Sequence, residues 1–385
     1  MGSNEKVLNN EELNAASIDS EMNEDDPSEN SIGLMKAWVS EDGTGIHLCD
    51  MPVPTITSPG QVLLKVQAAS VNSIDVMMSK GYAREMLGKL KQLKSFDRNA
   101  SRFPLIAGRD CCGTVVSVGE SVDNLNPGDK VIAVVPATLQ GTHAEYVVTE
   151  AKYCAKKPDN VSNEEAASLP YVANTAYTAL VHFARLRSNN TTSTRVLIHG
   201  GAGGVGTIAI QMLKAWGVDR VVVTCSEDSF DLVKKLGAIP VDYRSQDAKE
   251  QLADHAPFDI ILDCVDSPLA RWSDEVMGTW TNCVHVSLIS PLVTDTDKYG
   301  VILGLFSTLS KHFARSFQSH LRGRWFTYAY FIPSQICLNE LSKFVEEGKI
   351  VPVVEKVENF ENADVAYKKV AELHGRGKTV LTFSD

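Results

Sequence analysis

The chain of 385 residues has no run of eighteen apolar residues, no C-x-x-C pair and no excess of basic residues. Without such an apolar run, no transmembrane segment is expected. The eight cysteines are scattered, which argues against a disulfide framework. A net charge of −11 is unusual for a protein that binds nucleic acid, so no nucleic-acid partner is expected. The composition, 44% hydrophobic and 22% charged, is typical of a globular protein with a large core.

The first 33 residues also lack aromatic side chains, and they contain one lysine against nine acidic residues. This segment carries −8 of the net charge, and its composition predicts a disordered acidic tail over residues 1–33. It has neither the arginines of a mitochondrial presequence nor the apolar stretch of a secretory signal. On the residues alone, a cytoplasmic location is therefore open.

Residues 35–160 contain short β-forming segments separated by turn residues, which favours a small barrel or sandwich. The polar and basic stretch 80–103 is expected to be a surface excursion. Near residue 162 the spacing of apolar residues becomes helical over "SNEEAASLPYVANTAYTALVHFARL". Ser162 and Glu165 have the spacing of a capping box and are expected to begin a helix there.

From residue 195 onward, continuous apolar strands alternate with helices, which predicts a parallel sheet covered on both faces. The last strand, "KTVLTF", is expected to rejoin the first domain. The predicted organisation is a first domain of residues 34–165 with 333–385 and a second domain of residues 166–332.

A glycine-rich loop gives the strongest chemical signal, because it lies between a predicted strand and a predicted amphipathic helix. Gly201, Gly203 and Gly206 have the G-x-G-x-x-G spacing of dinucleotide-binding loops. In that pattern the first glycine allows a tight turn, the second lets the backbone approach a pyrophosphate, and the third lets the helix pack on the strand. The helix N-terminus then faces the anion. A glycine turn without a ligand is the alternative, and the repeated βαβ pattern favours the dinucleotide.

The type of dinucleotide depends on the end of the next strand, "VVVTCSED". NAD sites usually carry an acidic residue there, which binds the ribose hydroxyls. Ser226 stands at that place and would accommodate a 2′-phosphate, and Tyr243 with Arg244 could close over it. We therefore expect NADPH, although Glu227 follows directly and keeps NAD open.

Several segments between residues 34 and 385 resemble the medium-chain dehydrogenase/reductase superfamily. They are "AASVNSIDVMMSKG", "FPLIAGRDCCGTVVSVG", "NPGDKVIAV", "AASLPYVANTAYTAL", "GGAGGVG" and "HGRGKTV". Within the superfamily the chain is most similar to the zinc-free quinone oxidoreductases of the zeta-crystallin type. "QGTHAEYVV", "SLPYVA" and "KAWG" resemble a mitochondrial, reticulon-interacting subgroup of that branch.

The resemblance implies an α/β fold with two domains. One is a GroES-like β-barrel catalytic domain built from both ends of the chain, and the other is a Rossmann domain with a doubly wound parallel sheet. It also implies hydride transfer from NADPH to a quinone or an enone, a link to mitochondrial ubiquinone metabolism and a mitochondrial location. The implied protein partners are a reticulon or enzymes of ubiquinone synthesis. A binding protein with the reductase fold and little catalysis is the alternative.

The resemblance also implies a set of cofactor contacts by motif position. They are Gly203, Gly204, Val205 and Gly206 at the pyrophosphate, Ser226 and Tyr243 at the adenosine phosphate, and Cys264, Leu288, Ala329, Phe331, His374, Gly375 and Arg376 along the rest of NADPH. Asn72, Asp75 and Thr175 fall where the family lines the nicotinamide and substrate cleft. Two positions depart from the family: Ser229 replaces a common lysine near the 2′-phosphate, and Cys264 replaces an amide.

The segment "AGRDCCG" bears on metal binding. Zinc dehydrogenases of the superfamily carry Gly-His-Glu near this position, and Arg109 replaces the ligating histidine. Because arginine does not lose its proton to bind zinc, no metal is expected and a zinc alcohol dehydrogenase is disfavoured. Cys111 and Cys112 would point to opposite faces of a strand and are expected to be packing residues. Arg109 and Asp110 are expected to form an ion pair at the domain interface.

Without a metal, hydroxyl or amide donors or ordered water would polarise the substrate carbonyl. The candidates are Asn72, Tyr82, Thr175 and Tyr330. Asn72 and Thr175 would also help to place the nicotinamide and the acceptor. His199, beside the glycine loop, is expected to be a hydrogen-bonded histidine at the end of a strand. The basic stretch 311–324 is expected to be a solvated helix face, with a cofactor cover or a membrane contact as alternatives.

Overall fold

The computed structural model describes residues 33–186 and 191–384. Residues 34–385 form one compact unit. The predicted disordered tail over 1–33 lies outside the described residues, apart from Gly33.

Sixteen strands are formed within the described residues. They are β1 (Leu34–Ser40), β2 (His47–Pro52), β3 (Gln61–Val71), β4 (Leu105–Ile106), β5 (Asp110–Val118), β6 (Lys130–Val134), β7 (Tyr146–Glu150), β8 (Cys154–Lys156), β9 (Arg195–His199), β10 (Arg220–Cys225), β11 (Ile239–Asp242), β12 (Ile260–Asp263), β13 (Val284–Ser287), β14 (Trp325–Tyr328), β15 (Val354–Asn359) and β16 (Lys378–Thr382).

Twelve α-helices are formed in the same part of the chain. They are α1 (Ser73–Ser79), α2 (Arg84–Ser95), α3 (Asn163–Ala167), α4 (Pro170–Tyr177), α5 (Gly204–Ala215), α6 (Phe230–Lys235), α7 (Ala248–Asp254), α8 (Pro268–Trp272), α9 (Leu292–Tyr299), α10 (Val301–Leu321), α11 (Gln335–Glu346) and α12 (Ala363–Ala371).

Strands β1 to β8, together with β15 and β16, form two mainly antiparallel sheets. One has the order β15-β16-β3-β5-β6-β8, with β7 also paired to β3, and the other has the order β2-β1-β4. Strand β16 runs antiparallel to β3, with Thr379 opposite Val71, so the end of the chain returns to the sheet of the first strands. The domain limits at 165/166 and 332/333 stay a prediction.

A six-stranded parallel sheet has the order β11-β10-β9-β12-β13-β14. When these six strands are numbered in chain order, the sheet has the order 3-2-1-4-5-6, which is typical of doubly wound dinucleotide-binding folds. The central strands are buried along most of their length, for example Val196–Ile198 of β9 and Ile260–Leu262 of β12. Such continuous apolar strands need helices on both faces, because neither face can be exposed to water. The predicted fold class, with its GroES-like and Rossmann parts, is confirmed.

The helical region after residue 162 starts as expected and then divides. The Ser162 hydroxyl accepts from the backbone of Glu165 at 3.1 Å, and the Glu165 carboxylate accepts from the backbone of Ser162 at 2.9 Å, which confirms the capping box. The expected single helix is interrupted because Pro170 lacks an N–H and begins a second helix at its first position.

The paired cysteines lie in β5 and pack in two different hydrophobic clusters. Cys112 belongs to the core shared with the parallel-sheet half, and Cys111 belongs to the core of the antiparallel sheet. Burial raises the pKa of Cys112 to about 12, so its thiol stays protonated. The prediction that they point to opposite faces as packing residues is confirmed.

Candidate functional site

The glycine-rich loop follows β9 and leads directly into α5. A Cβ on Gly206 would lie 2.3 Å from the carbonyl oxygen of Gly200, and one on Gly201 would lie 2.5 Å from Val223. Only glycine fits at these two places, because the turn packs against itself and against β10. Gly203, by contrast, has no atom closer than 3.6 Å to an added Cβ.

The N-terminus of α5 has open hydrogen-bond donors. Gly203 is its N-cap and supplies no side chain to bond the first amides of the helix. These amides carry the positive end of the helix dipole and point away from the helix into the loop. A side-chain cap such as Ser or Asp would satisfy them, whereas glycine leaves them for a ligand.

Several predicted cofactor contacts meet at the carboxyl edge of the parallel sheet. Cys264 and Leu288 directly follow the ends of β12 and β13, and Ala329 follows the end of β14. Val205 and Phe331 pack against the same hydrophobic core. The edge outside the carboxyl ends of parallel strands is where ligands bind in doubly wound folds.

The segment 374–377 connects the end of the chain to the glycine loop. The Gly377 N–H donates to the carbonyl oxygen of Ala202 at 3.0 Å. Gly377 has φ of 92°, and a Cβ there would lie 2.2 Å from the carbonyl oxygen of Val353. His374 is exposed, and its Nδ1 contacts the carbonyl oxygen of Glu372. The loop therefore has the predicted residues His374, Gly375 and Arg376 beside it.

Asp228 lies in the corner expected to hold the adenosine phosphate. One carboxylate oxygen accepts from the Ser226 hydroxyl, and the other accepts from Arg376 at 2.6 Å. The Ser226 hydroxyl and the positive charge of Arg376 lower the pKa of Asp228, so its carboxylate stays charged. Tyr243 is half-exposed at the end of β11, and its hydroxyl accepts from Nε of Arg244 at 3.0 Å. Sequence reasoning named Ser226 and Arg376 but missed Asp228, which joins them.

Asn72 is held in a buried network of charged side chains. Its amide nitrogen donates to Asp110 at 2.9 Å and to Asp75 at 3.2 Å, and its amide oxygen accepts from the Lys378 ammonium at 2.5 Å. All four side chains are buried. Burial raises the pKa of both carboxyl groups, whereas the charge of Lys378 acts against that rise. The amide of Asn72 is therefore fixed in one orientation.

Lys378 is the second residue that sequence reasoning missed. Its stem passes 2.8 Å from the place where a Cβ on Gly204 would lie, and its ammonium also donates to the carbonyl oxygen of Val71 at 3.2 Å. It thereby connects the glycine loop with Asn72. A lysine at the first position of the apolar strand "KTVLTF" was the available signal, because lysine is rarely buried without a partner.

The expected ion pair between Arg109 and Asp110 is wrong. The Arg109 guanidinium donates to the carbonyl oxygens of Pro136 at 2.9 Å and Ile106 at 3.1 Å, and its closest carboxylate is that of Asp75 at 3.8 Å. Asp110 instead accepts from Ser70, Asn72 and the backbone N–H of Tyr171. Residues adjacent in an extended chain point in opposite directions, which separates this pair.

The three candidate hydroxyl donors differ in their exposure and in the hydrogen bonds they already make. Thr175 donates its hydroxyl to the carbonyl oxygen of Tyr171 at 2.8 Å. Tyr330 is exposed, and its hydroxyl lies 3.1 Å from that of Ser290. Burial raises the pKa of Tyr82, and the negative charge of Asp297 adds to that rise. Tyr330 therefore has the most accessible hydroxyl of the three.

His199 is completely buried beneath the loop. Its Nδ1 lies 3.1 Å from the Thr224 hydroxyl and its Nε2 lies 3.0 Å from the Ser273 hydroxyl. Burial lowers its pKa to about 4, so the ring is neutral at pH 7. The prediction of a hydrogen-bonded histidine at the end of a strand is confirmed.

Residues 33–186 and 191–384 have neither a candidate metal cluster nor a helix that could span a membrane. No group of three or more His, Cys, Asp or Glu side chains in that part could hold a metal ion. None of the helices there combines the length and apolar character needed to cross a bilayer.

Comparisons with known proteins give the family. Residues 58–159 match the family described as alcohol dehydrogenase GroES-like domain, and residues 236–381 match the family described as zinc-binding dehydrogenase. The chain is 62% identical over 349 residues to "Reticulon-4-interacting protein 1, mitochondrial" of Caenorhabditis elegans, covering 91% of this chain and 95% of the relative. The chain belongs to the reticulon-4-interacting protein 1 family.

Two further members of the superfamily extend this comparison. The Homo sapiens relative "NAD(P)H oxidoreductase RTN4IP1, mitochondrial" is 39% identical over 333 residues, covering 86% of this chain and 84% of the relative. The structure of the quinone oxidoreductase from Coxiella burnetii is similar with a TM-score of 0.69 and 28% identity, covering 91% of this chain and 99% of that one. The medium-chain dehydrogenase/reductase resemblance of the sequence is confirmed.

The dinucleotide that such a fold implies fits the residues present. The open amides at the start of α5 match a pyrophosphate, and the free space around Gly203 leaves room for it. Partly buried apolar residues at the strand ends match a nicotinamide ring. The adenosine corner carries an opposing charge, that of Asp228.

Proposed function

We propose that the chain is an NADPH-dependent oxidoreductase that transfers hydride to a quinone or an activated double bond, without a metal. The observation that carries the proposal is the uncapped N-terminus of α5 at the carboxyl edge of the parallel sheet. The relatives' names, an NAD(P)H oxidoreductase and a quinone oxidoreductase, support the same chemistry.

In this proposal the loop residues Gly203–Gly206 hold the pyrophosphate through backbone amides. The residues at the strand ends pack along the nicotinamide half, and the segment 374–377 closes over the cofactor. NADPH, when bound, supplies the hydride. The protein contributes position and charge, which hydride transfer mainly requires.

Asn72, Thr175 and Tyr330 have different roles in the cleft. Both ends of the Asn72 amide are already bonded, so Asn72 acts as a positioning residue for the nicotinamide side of the cleft. Thr175 retains hydroxyl lone pairs that can accept from a carboxamide. Tyr330, with an exposed hydroxyl next to Ser290, is the proposed proton donor to the reduced acceptor.

Preference for NADPH over NADH is part of the proposal. Arg376 and Ser226 already hold an anion, the carboxylate of Asp228. A 2′-phosphate carries more negative charge and more acceptor oxygens than a carboxylate, so Arg376 would exchange its partner when NADPH binds. Tyr243 would then contact the adenosine side.

The setting of the reaction also remains a proposal. The names of the Caenorhabditis elegans and Homo sapiens relatives place those proteins in mitochondria, and the first also names a reticulon partner. We extend to this chain a mitochondrial location, a ubiquinone-type acceptor and contact with a reticulon or with enzymes of ubiquinone synthesis.

The test is stopped-flow oxidation of NADPH with a panel containing a short-chain ubiquinone, other quinones and enones. We expect saturable oxidation with at least one acceptor. Tyr330→Phe should lower kcat by about 100-fold, as expected for loss of a general acid. Tyr299→Phe, which changes another exposed tyrosine, should leave kcat unchanged. Bound NADPH that no acceptor oxidises would overturn the proposal and support the binding-protein alternative.

A further inference from the structure

Helix α10 is amphipathic, but its apolar side faces solvent and its polar side faces the protein. Its large apolar side chains face solvent: Ile302, Phe306 and Phe313 are 83%, 72% and 69% exposed. Arg315 is on the opposite side, which faces the protein, and Lys311 lies one turn before it at the exposed edge of that side. A surface helix normally buries its apolar stripe and exposes its charges. The reversed orientation places the guanidinium of Arg315 against the protein, where its charge calls for an anionic partner.

The cationic side of α10 lines a cavity of about 660 Å³. The cavity lies between α8, α10 and β14, and this volume is typical of sites for small molecules. Five cationic side chains line it: Arg271, Lys311, Arg315, Arg322 and Arg324. The acidic side chains in its lining are Asp266 and Asp274. The cavity wall is therefore net positive.

Most of these cations have a partner, but Arg315 does not have a carboxylate within 4.0 Å among the described residues. Lys311 pairs with Asp295 at 2.7 Å, Arg322 pairs with Glu275 at 2.8 Å, and Arg271 pairs with Asp266 at 2.9 Å. The guanidinium of Arg315 lies over the ring of Phe326 at 3.7 Å and beside the Tyr328 hydroxyl. Neither neighbour neutralises its charge.

Two guanidinium nitrogens of the lining arginines also lack hydrogen-bond partners. They are Nη2 of Arg315 and Nε of Arg324, and both atoms are shielded from solvent. Arg324 is 9% exposed, although its other nitrogens donate to Glu275. A buried donor without a partner is unfavourable, so neither guanidinium is fully satisfied by the protein.

The cavity shares no residue with the proposed dinucleotide site, although it borders its nicotinamide side: Tyr328 directly precedes Ala329, and Asp266 follows Cys264 by two residues. It lies beside β14, the outermost strand on one side of the parallel sheet, whereas the adenosine corner lies at β10 and β11 on the other side. None of the residues proposed to contact NADPH lines it.

We propose that this cavity is a second binding site, for a ligand that carries a phosphate or pyrophosphate group. Arginine forms paired hydrogen bonds with phosphate oxygens, and an anion of charge −2 or more would match several cations at once. The ligand would accept from the guanidinium group of Arg315, the lining cation without a carboxylate partner among the described residues. A soluble phosphorylated metabolite and a phospholipid headgroup share this chemistry.

The test is isothermal titration of the full chain with inorganic pyrophosphate, and a parallel sedimentation assay with phosphatidylcholine vesicles containing phosphatidic acid. Arg315→Met keeps the contact with Phe326 and removes the charge, and it should weaken binding about tenfold or more. Arg322→Gln changes an exposed member of the cavity and should weaken binding without a risk to folding. Lys343→Gln, an exposed lysine of α11 outside the cavity, is the matched control and should bind as the wild type does.

Pyrophosphate could also bind the glycine loop, so Gly203→Asp is included. A Cβ fits at Gly203, and the added carboxylate would repel an anion there. Binding that persists in Gly203→Asp and weakens in Arg315→Met supports the cavity. Vesicle binding with the same dependence on Arg315 would identify a lipid headgroup, and its absence a soluble ligand. Binding lost only in Gly203→Asp, or no binding of either probe, would overturn the proposal.

Discussion

Lys378 is the side chain whose removal should most affect both stability and the proposed cleft. It is 7% exposed and donates to the amide oxygen of Asn72 at 2.5 Å. Its positive charge also opposes the rise that burial causes in the pKa of Asp110 and Asp75. Lys378→Met keeps a stem of similar length against Gly204 but removes the ammonium. Two buried carboxylates then lose a counter-charge, and Asn72 loses the donor to its amide oxygen.

Removing one partner from a buried charge pair costs about 3–5 kcal/mol, mainly because the other charge is left uncompensated. We expect Lys378→Met to lower the free energy of unfolding by about that amount. The assay is urea denaturation followed by circular dichroism. Lys368→Met removes an exposed lysine that pairs with Asp364 one turn away, and it should cost less than about 1 kcal/mol.

A double variant tests the stated cause. If the uncompensated charge is responsible, Lys378→Met combined with Asp110→Asn should be less destabilised than the sum of the two single variants. The catalytic consequence should be a higher KM for NADPH, because Asn72 is no longer fixed. Unfolding free energies for Lys378→Met and Lys368→Met that agree within error would show that the Lys378 ammonium does not compensate buried charge.

Two further predictions concern charge. Asp228→Asn should raise kcat/KM for NADPH severalfold relative to NADH, because Arg376 no longer has a competing carboxylate; an unchanged ratio would contradict the assignment of this corner. Burial lowers the pKa of His143 and His199 from 6.5 to about 4. As the pH falls below 6.5, these histidines are therefore protonated in the unfolded chain before they are protonated in the folded protein. Each should cost roughly 2 kcal/mol of stability between pH 7 and pH 5. Urea denaturation at pH 7 and pH 5 should show a smaller loss of unfolding free energy for His199→Gln than for the wild type. An equal loss in the two proteins would exclude a contribution from His199.

Features carried by neighbouring residues could be predicted from the sequence. The glycine loop, the parallel strands and the Ser162 capping box each depend on residues within one turn or one βαβ unit. Their spacing alone determines the hydrogen bonds or the buried face. The fold class followed from these local patterns together with the family resemblance.

Contacts between distant parts of the chain could not be predicted in the same way. Arg376 and Asp228 are 148 residues apart, and Lys378 and Asn72 are 306 residues apart. No spacing rule relates such pairs, because they meet only after the end of the chain has returned to β3. Adjacency in sequence was also misleading: Arg109 and Asp110 were expected to form an ion pair, but their side chains bond to different groups.

The dinucleotide site is tested most directly by titrating the purified chain with NADPH, followed by cofactor fluorescence, in the wild type and in Gly203→Asp. We expect saturable binding at one site per chain in the wild type. In Gly203→Asp the carboxylate should occupy the open amides of α5 and weaken binding by about 100-fold or more, with the circular dichroism spectrum unchanged. Equal affinity in both proteins, or no NADPH binding by the wild type, would contradict the assignment of the glycine loop as a dinucleotide site.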